Sequence, residues 1–128
     1  MHPEKYLGSE TPVFKSGLEL KFMRYADLCP VVVNWAYETK TIQYMDMSSK
    51  PPKMRTYFID FVIWCRTKTG TKKIWVEIKN SKETELPKNP STRDKLLFLK
   101  NKSKWDAATK LAAQNGCAFK IITEKQLS

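Results

Sequence analysis

Two strand-forming runs, residues 56–67 and 73–79, flank a turn at Thr69-Gly70, and this pair constrains the chain more than any other feature. The first is rich in Tyr, Phe, Ile, Val and Trp, and the second is built on Ile74, Trp75, Val76 and Ile78. Such residues suit a pleated, half-buried surface, so the segment is predicted to be a β-hairpin. A turn centred on Thr69-Gly70 sets Asp60 opposite Lys79 and Val62 opposite Glu77. Opposed residues share a face, as do positions i and i+2. Asp60, Glu77 and Lys79 would then lie together at the hairpin's open end, provided no one-residue bulge intervenes.

Around the hairpin, Leu18, Phe22, Tyr25, Ala26 and Cys29 recur at helical spacing up to Pro30, predicting a helix over 16–28. Ser16 with Glu19 three residues on fits a capping box. Residues 31–37 and 39–45 read as strands, and 48–53, with two prolines, as a loop. Residues 81–91 read as an exposed loop near the open end. Residues 92–115 follow a helical pattern through Leu96, Leu97, Trp105, Ala108, Leu111 and Ala112. The polar run 100–103 is a candidate break, and Gly116 is a good C-terminal cap. Residues 117–123 form a short buried strand. The expected fold is a single α/β domain, order α-β-β-β-α-β, with a mixed central sheet flanked by helices. Its long helix is a right-handed crossover placing the last strand parallel to 73–79. Residues 1–12 are expected to be a loose leader.

The 128 residues suffice for one core. No apolar run approaches the roughly 20 residues of a membrane span, and the N-terminus lacks the apolar stretch of a signal peptide. A soluble, cytoplasmic protein is expected. Cys29, Cys65 and Cys117 are widely spaced, with no CxxC pair, and read as three buried thiols rather than a zinc site. The single histidine is His2, which excludes His-dependent nuclease motifs and Ser-His-Asp hydrolysis. Any acid–base chemistry must come from carboxylates, lysines or tyrosines.

The net charge of +10 is concentrated: residues 50–110 hold 16 Lys/Arg against six Asp/Glu, while the flanks nearly balance. A basic middle suggests one positive face and a polyanionic partner, DNA or RNA. Two carboxylates and an ammonium among apolar strand residues then admit two readings. One is a cross-strand ion pair on a solvated face. The other is a site for Mg²⁺ or Mn²⁺, which prefer carboxylate, carbonyl and water oxygens, with Lys79 orienting water and stabilising charge on phosphate. Glu19 is equally well explained by capping alone.

Together the Ser16-Gly17-Leu18-Glu19 helix start, Tyr57-Phe58-Ile59-Asp60-Phe61 and Val76-Glu77-Ile78-Lys79 resemble the PD-(D/E)XK nuclease superfamily, with Ile59 where its motif usually has proline. Two groups look nearest. Phage junction-resolving endonucleases share the SGLE start, the Tyr-x-x-Asp-Phe strand and the Glu-x-Lys strand. The head-completion nuclease-like proteins of T-even-like tailed phages are related to the N-terminal nuclease domain of Tn7-type transposases. They are similar over nearly the whole chain, including residues 20–25, 55–61, 77–79, 104–108 and 119–124. This second group is the favoured one.

The resemblance implies a restriction-endonuclease-like fold and Mg²⁺-dependent hydrolysis of DNA phosphodiesters, with Mn²⁺ able to substitute. It implies catalytic Glu19, Asp60, Glu77 and Lys79, and a metal held by Asp60, Glu77, Glu19 and the Ile78 carbonyl. Lys15, Lys82, Lys88, Arg93, Lys95, Lys100, Lys102 and Lys104 would hold phosphates, positioning DNA rather than reading it. A role in DNA packaging or head completion follows, with phage head or packaging components as partners, in the cytoplasm of an infected bacterium or on the virion. Double-strand cutting would demand two copies, hence a homodimer. The alternatives are a dimeric junction-resolving endonuclease, and a virion or DNA-binding protein that keeps the fold with little catalysis.

Overall fold

A computed structural model describes residues 2–8 and 16–127. The Ser16 hydroxyl accepts a hydrogen bond from the Glu19 N–H at 3.1 Å and starts α1, Gly17–Leu28. Phe22, Met23 and Ala26 form its buried stripe, whereas Tyr25 is largely exposed. The Cys29 N–H bonds back to the Tyr25 carbonyl and closes the helix. The Lys5 ammonium donates to the carbonyls of Asp27 and Cys29 at 2.9 and 3.0 Å, meeting the negative end of the helix. The main-chain N–H of His2 donates to the Asp27 carboxylate, and residues 5–7 pair with Trp35 through a parallel bridge at Tyr6. Of the leader expected to be loose over 1–12, residues 2–8 are tied to the body, and residues 1 and 9–12 lie outside the described residues.

The sheet has four strands in the order β1-β2-β3-β4: Val32–Asp46, Lys53–Thr67, Gly70–Ile78 and Ala118–Ile122. The two short strands expected over 31–45 are one strand, β1. It bends where Glu38 takes a positive φ of 47° and the pairing with β2 slips between Tyr37 and Lys40. Two residues of β1, Glu38 and Thr39, there oppose the single Asp60 of β2, which is a β-bulge.

The β2–β3 register also differs from expectation. Thr67 pairs with Gly70, so the loop is the two residues Lys68-Thr69, and Phe61 pairs with Val76. Val62 faces Trp75 rather than Glu77. The register moves by two residues, which preserves strand faces and keeps the acids at the open end. As expected, β4 runs parallel to β3, from Ile74↔Ala118 to Ile78↔Ile122.

The crossover is α2, Thr92–Gln114, capped reciprocally by Ser91 and Asp94 and unbroken at 100–103. It ends at Gly116, whose φ of 71° favours glycine. A 3-10 turn, Ser81–Thr84, interrupts the loop before it, and a four-residue helix, α3, Glu124–Leu127, follows β4. Helix α1 covers one sheet face over Val32, Trp35, Phe61, Ile63, Ile74, Val76 and Ile78. Helix α2 covers the other with Ala108 and Ala112 over Ile42, Tyr44, Tyr57, Ile59, Val62 and Trp75. Each fully buried aromatic contributes roughly 1.5–3 kcal/mol of transfer free energy. The first half of α2 runs past this core, leaving Leu96, Leu97 and Leu99 exposed. The three cysteines are free and only half-buried. No described helix is long and apolar enough to cross a membrane.

Candidate active site

The two cores meet at Asp60. In β2, Tyr57 and Ile59 pack on the α2 side while Phe61 and Ile63 pack on the α1 side, although all four are odd-numbered. Regular alternation is thus broken at Asp60, the residue opposite the β1 bulge. Bulges re-aim side chains, and this one turns Asp60 into the open end of the β2–β3 ladder. There its Oδ2 accepts a hydrogen bond from the Ile78 N–H at 2.8 Å.

Glu77, the next residue of β3 beyond the last β2–β3 pair, is 6 % exposed. Its Oε2 accepts a hydrogen bond from the Tyr57 hydroxyl. Burial pushes the Asp60 carboxyl up to about 8, and the Glu77 charge beside it adds to the rise, while the Ile78 N–H opposes it. Glu19, buried on α1, raises it further from the other layer. The same burial, followed by the Glu77 charge, drives the Tyr57 phenol far above its ordinary range, so Tyr57 is a hydrogen-bond donor.

Lys79 lies one residue beyond β3. Its main-chain N–H bonds to the Ile122 carbonyl of β4 at 3.1 Å, which fixes its place. Its Nζ is 3.8 Å from Glu83 and the side chain is 27 % exposed. A pair that open contributes about 0–1 kcal/mol, so the ammonium is readily released.

A second ammonium approaches from α2. Lys104 Nζ lies 5.4 Å from the Tyr57 ring centroid, within cation–π range. Its pKa is lowered by burial, raised in part by Glu77 and Asp60, and lowered by Lys79 and Lys100. Those influences place Lys104 beside the carboxylates rather than on an outlying DNA track.

Of the other expected phosphate contacts, Lys100 stands one helical turn before Lys104 on the same side. Lys102 is turned away and pairs with Asp106 at 3.6 Å. Lys82, Lys88, Arg93 and Lys95 are exposed. Lys15 lies outside the described residues. Sequence reasoning missed Tyr57 as the partner of Glu77 and ranked Lys104 with the peripheral lysines. A tyrosine three residues before Asp60 would face the opposite way in a regular strand, so spacing gave no signal for it.

Two adjoining carboxyls, Glu77 buried and Asp60 half-buried, with one pKa driven up are a donor set for an oxygen-seeking divalent cation, which relieves their repulsion. Among the described residues, no three His, Cys, Asp or Glu side chains converge into a ready-made cage. The fit is therefore to Mg²⁺ or Mn²⁺ on Asp60 and Glu77, ions that keep several waters and are held by one or two carboxylates plus substrate phosphate.

A family model described as "TnsA-like endonuclease N terminal" matches residues 29–124, which span β1, the Asp60–Glu77–Lys79 hairpin, α2 and β4. The chain belongs to the TnsA-like endonuclease N-terminal family. It is also 34 % identical to the head completion nuclease of Enterobacteria phage T4, over 134 aligned positions covering 96 % of this chain and 86 % of that protein. Both likenesses run beyond the hairpin into α2, the helix that delivers Lys104. No solved structure matches significantly.

Proposed function

We propose that this TnsA-like domain is a Mg²⁺-dependent DNA endonuclease that hydrolyses phosphodiester bonds, acting in phage DNA packaging or head completion. The observation that carries the reading is the Asp60–Glu77 pair: two carboxyls held in contact in a buried setting, flanked by Lys79 and Lys104. A scaffold has no use for that arrangement, which weakens the metal-free fold. The packaging role rests on the likeness to the T4 head completion nuclease.

Asp60 and Glu77 would hold the cation, with the Ile78 carbonyl as a third donor and Glu19 approaching from α1. A bound Mg²⁺ would supply Lewis acidity, activating water and offsetting charge on the scissile phosphate. The Asp60 carboxylate is oriented by the Ile78 N–H and that of Glu77 by the Tyr57 hydroxyl. Lys79, freed from Glu83, orients the attacking water and stabilises the charge that grows on phosphate. Lys100 and Lys104 neutralise the adjoining backbone. One such site cuts one strand, so double-strand cleavage would need two copies.

The test is nicking of supercoiled DNA in Mg²⁺, Mn²⁺ or EDTA, comparing the wild-type chain with Glu77→Gln. Nicking in either metal, lost in EDTA and in the variant, supports the reading. Equal nicking in EDTA, or none from wild type in either metal, refutes it.

A further inference from the structure

A cleft of about 380 Å³, bordered by Lys79, opens between the 3-10 turn and α2. Its floor holds Asn101, which is 5 % exposed. The Asn101 amide forms no hydrogen bond among the described residues. Neither amide atom is sealed from solvent, so the amide opens into the cleft. The walls are Pro87, half-buried Phe98 and exposed Leu97.

Charge decides what the cleft can accept. Glu83, Glu85 and Asp94 line it against only Lys79 and Lys82, in a chain that is otherwise strongly basic. Asp94 is engaged with the Ser91 N–H and Glu83 with Lys79. A second phosphate is therefore poorly matched to this recess. A neutral, flat group with an apolar face and a hydrogen-bonding edge is well matched, because it packs on Phe98 and Leu97 and meets both the donor and the acceptor of one amide. Nucleobases have this chemistry, and asparagine pairs with base edges through both amide atoms.

Resting on the nuclease reading above, we propose that this cleft seats an unstacked nucleobase adjoining the scissile phosphate, with Asn101 hydrogen-bonded to its edge. Lys79 is shared by the two sites, so a phosphate on its ammonium brings the attached nucleotide to the cleft mouth. Taking a base out of a duplex costs a few kcal/mol, and least where it is already unpaired. The domain should accordingly prefer gapped, branched or single-stranded positions over continuous duplex.

The experiment scans 2-aminopurine, a fluorescent adenine analogue that brightens when unstacked, along a DNA duplex bound in Ca²⁺. Wild type is expected to brighten the probe several-fold at one position next to the bond it cuts in Mg²⁺. Asn101→Leu, similar in volume, is expected to lose that signal and about ten-fold in affinity for DNA with an unpaired base there, the loss of roughly one hydrogen bond. Its melting temperature should stay close to that of wild type, since side-chain volume is kept and no internal hydrogen bond is lost. Asn101→Ala, which removes the amide without adding apolar bulk, should lose the signal too. DNA that is bound and cut with no brightening at any position, or brightening that survives both variants, overturns this inference and leaves the nuclease reading standing. A wild type that neither binds nor cuts DNA removes both.

Discussion

The Tyr57 hydroxyl donates a hydrogen bond to Oε2 of Glu77, and above the same ring stands the Lys104 ammonium. One tyrosine of β2 thus orients a carboxylate of β3 and contacts the lysine that α2 contributes. Tyr57→Phe removes the donor and keeps the packing. Loss of such an outer partner typically lowers metal affinity about 10–100-fold. The Mn²⁺ concentration for half-maximal thermal stabilisation should rise by that order, with little change in the metal-free melting temperature. An unaltered Mn²⁺ titration would remove Tyr57 from the site.

Metal-free stability should depend on pH through Asp60. Its pKa rises from about 3.9 in the unfolded chain to about 8 in the fold. Between these values the folded state holds the extra proton, so stability falls as pH rises from about 4 to about 8 and levels off above. Asp60→Asn should flatten that decline and raise the melting temperature at pH 8 while abolishing cleavage. Thermal melts in EDTA across pH 5–9 check this. A variant less stable than wild type at pH 8 would contradict it.

The lysines of α2 should separate by face. Lys100→Glu and Lys104→Glu point at the carboxylate centre and should weaken DNA binding on every sequence and lower its salt slope. Each phosphate contact accounts for roughly 0.9 log units of affinity per log of salt. Lys102→Glu, on the side paired with Asp106, should change the slope less. Fluorescence anisotropy between low and moderate salt measures all three, and equal effects would refute the division.

Lys5 closes the C-terminal end of α1, the helix that carries Glu19. Lys5→Met should cost roughly 0.3–2 kcal/mol, the range for a cation at a helix C-terminus. Urea unfolding measures it. Since Glu19 lies at the other end of α1, the Mg²⁺ requirement should stay within about two-fold if the helix remains docked.

Much of this arrangement was legible in the sequence because its signals are local. Ser16 opens α1, Gly116 closes α2, and apolar runs flanking a turn make the hairpin that bears Asp60 and Glu77. The parallel β4 followed from the length of α2 alone. The register did not follow, because Gly70 pairs with Thr67 instead of occupying the turn, and only the backbone decides between the two. Residues 31–45 look like two strands because the bend at Glu38 interrupts the apolar pattern without ending the ladder. Tyr57 was hidden by the break of alternation at Asp60, a consequence of the bulge across the sheet. The N-terminal residues look loose, because the side chains that hold them, Asp27 and Lys5, are charged groups whose pairing only the tertiary fold reveals.

The most direct test of the central claim is Lys79→Met against wild type in nicking of supercoiled DNA with Mg²⁺, DNA and Mn²⁺ binding being measured in parallel. A methionine packs as the lysine stem does and lacks only the ammonium. Wild type should nick in Mg²⁺ and not in EDTA, whereas Lys79→Met should bind DNA and Mn²⁺ within a few-fold of wild type and lose nicking by at least about a hundred-fold, the scale of a lost charge-stabilising donor. Nicking by Lys79→Met at the wild-type rate would contradict the account.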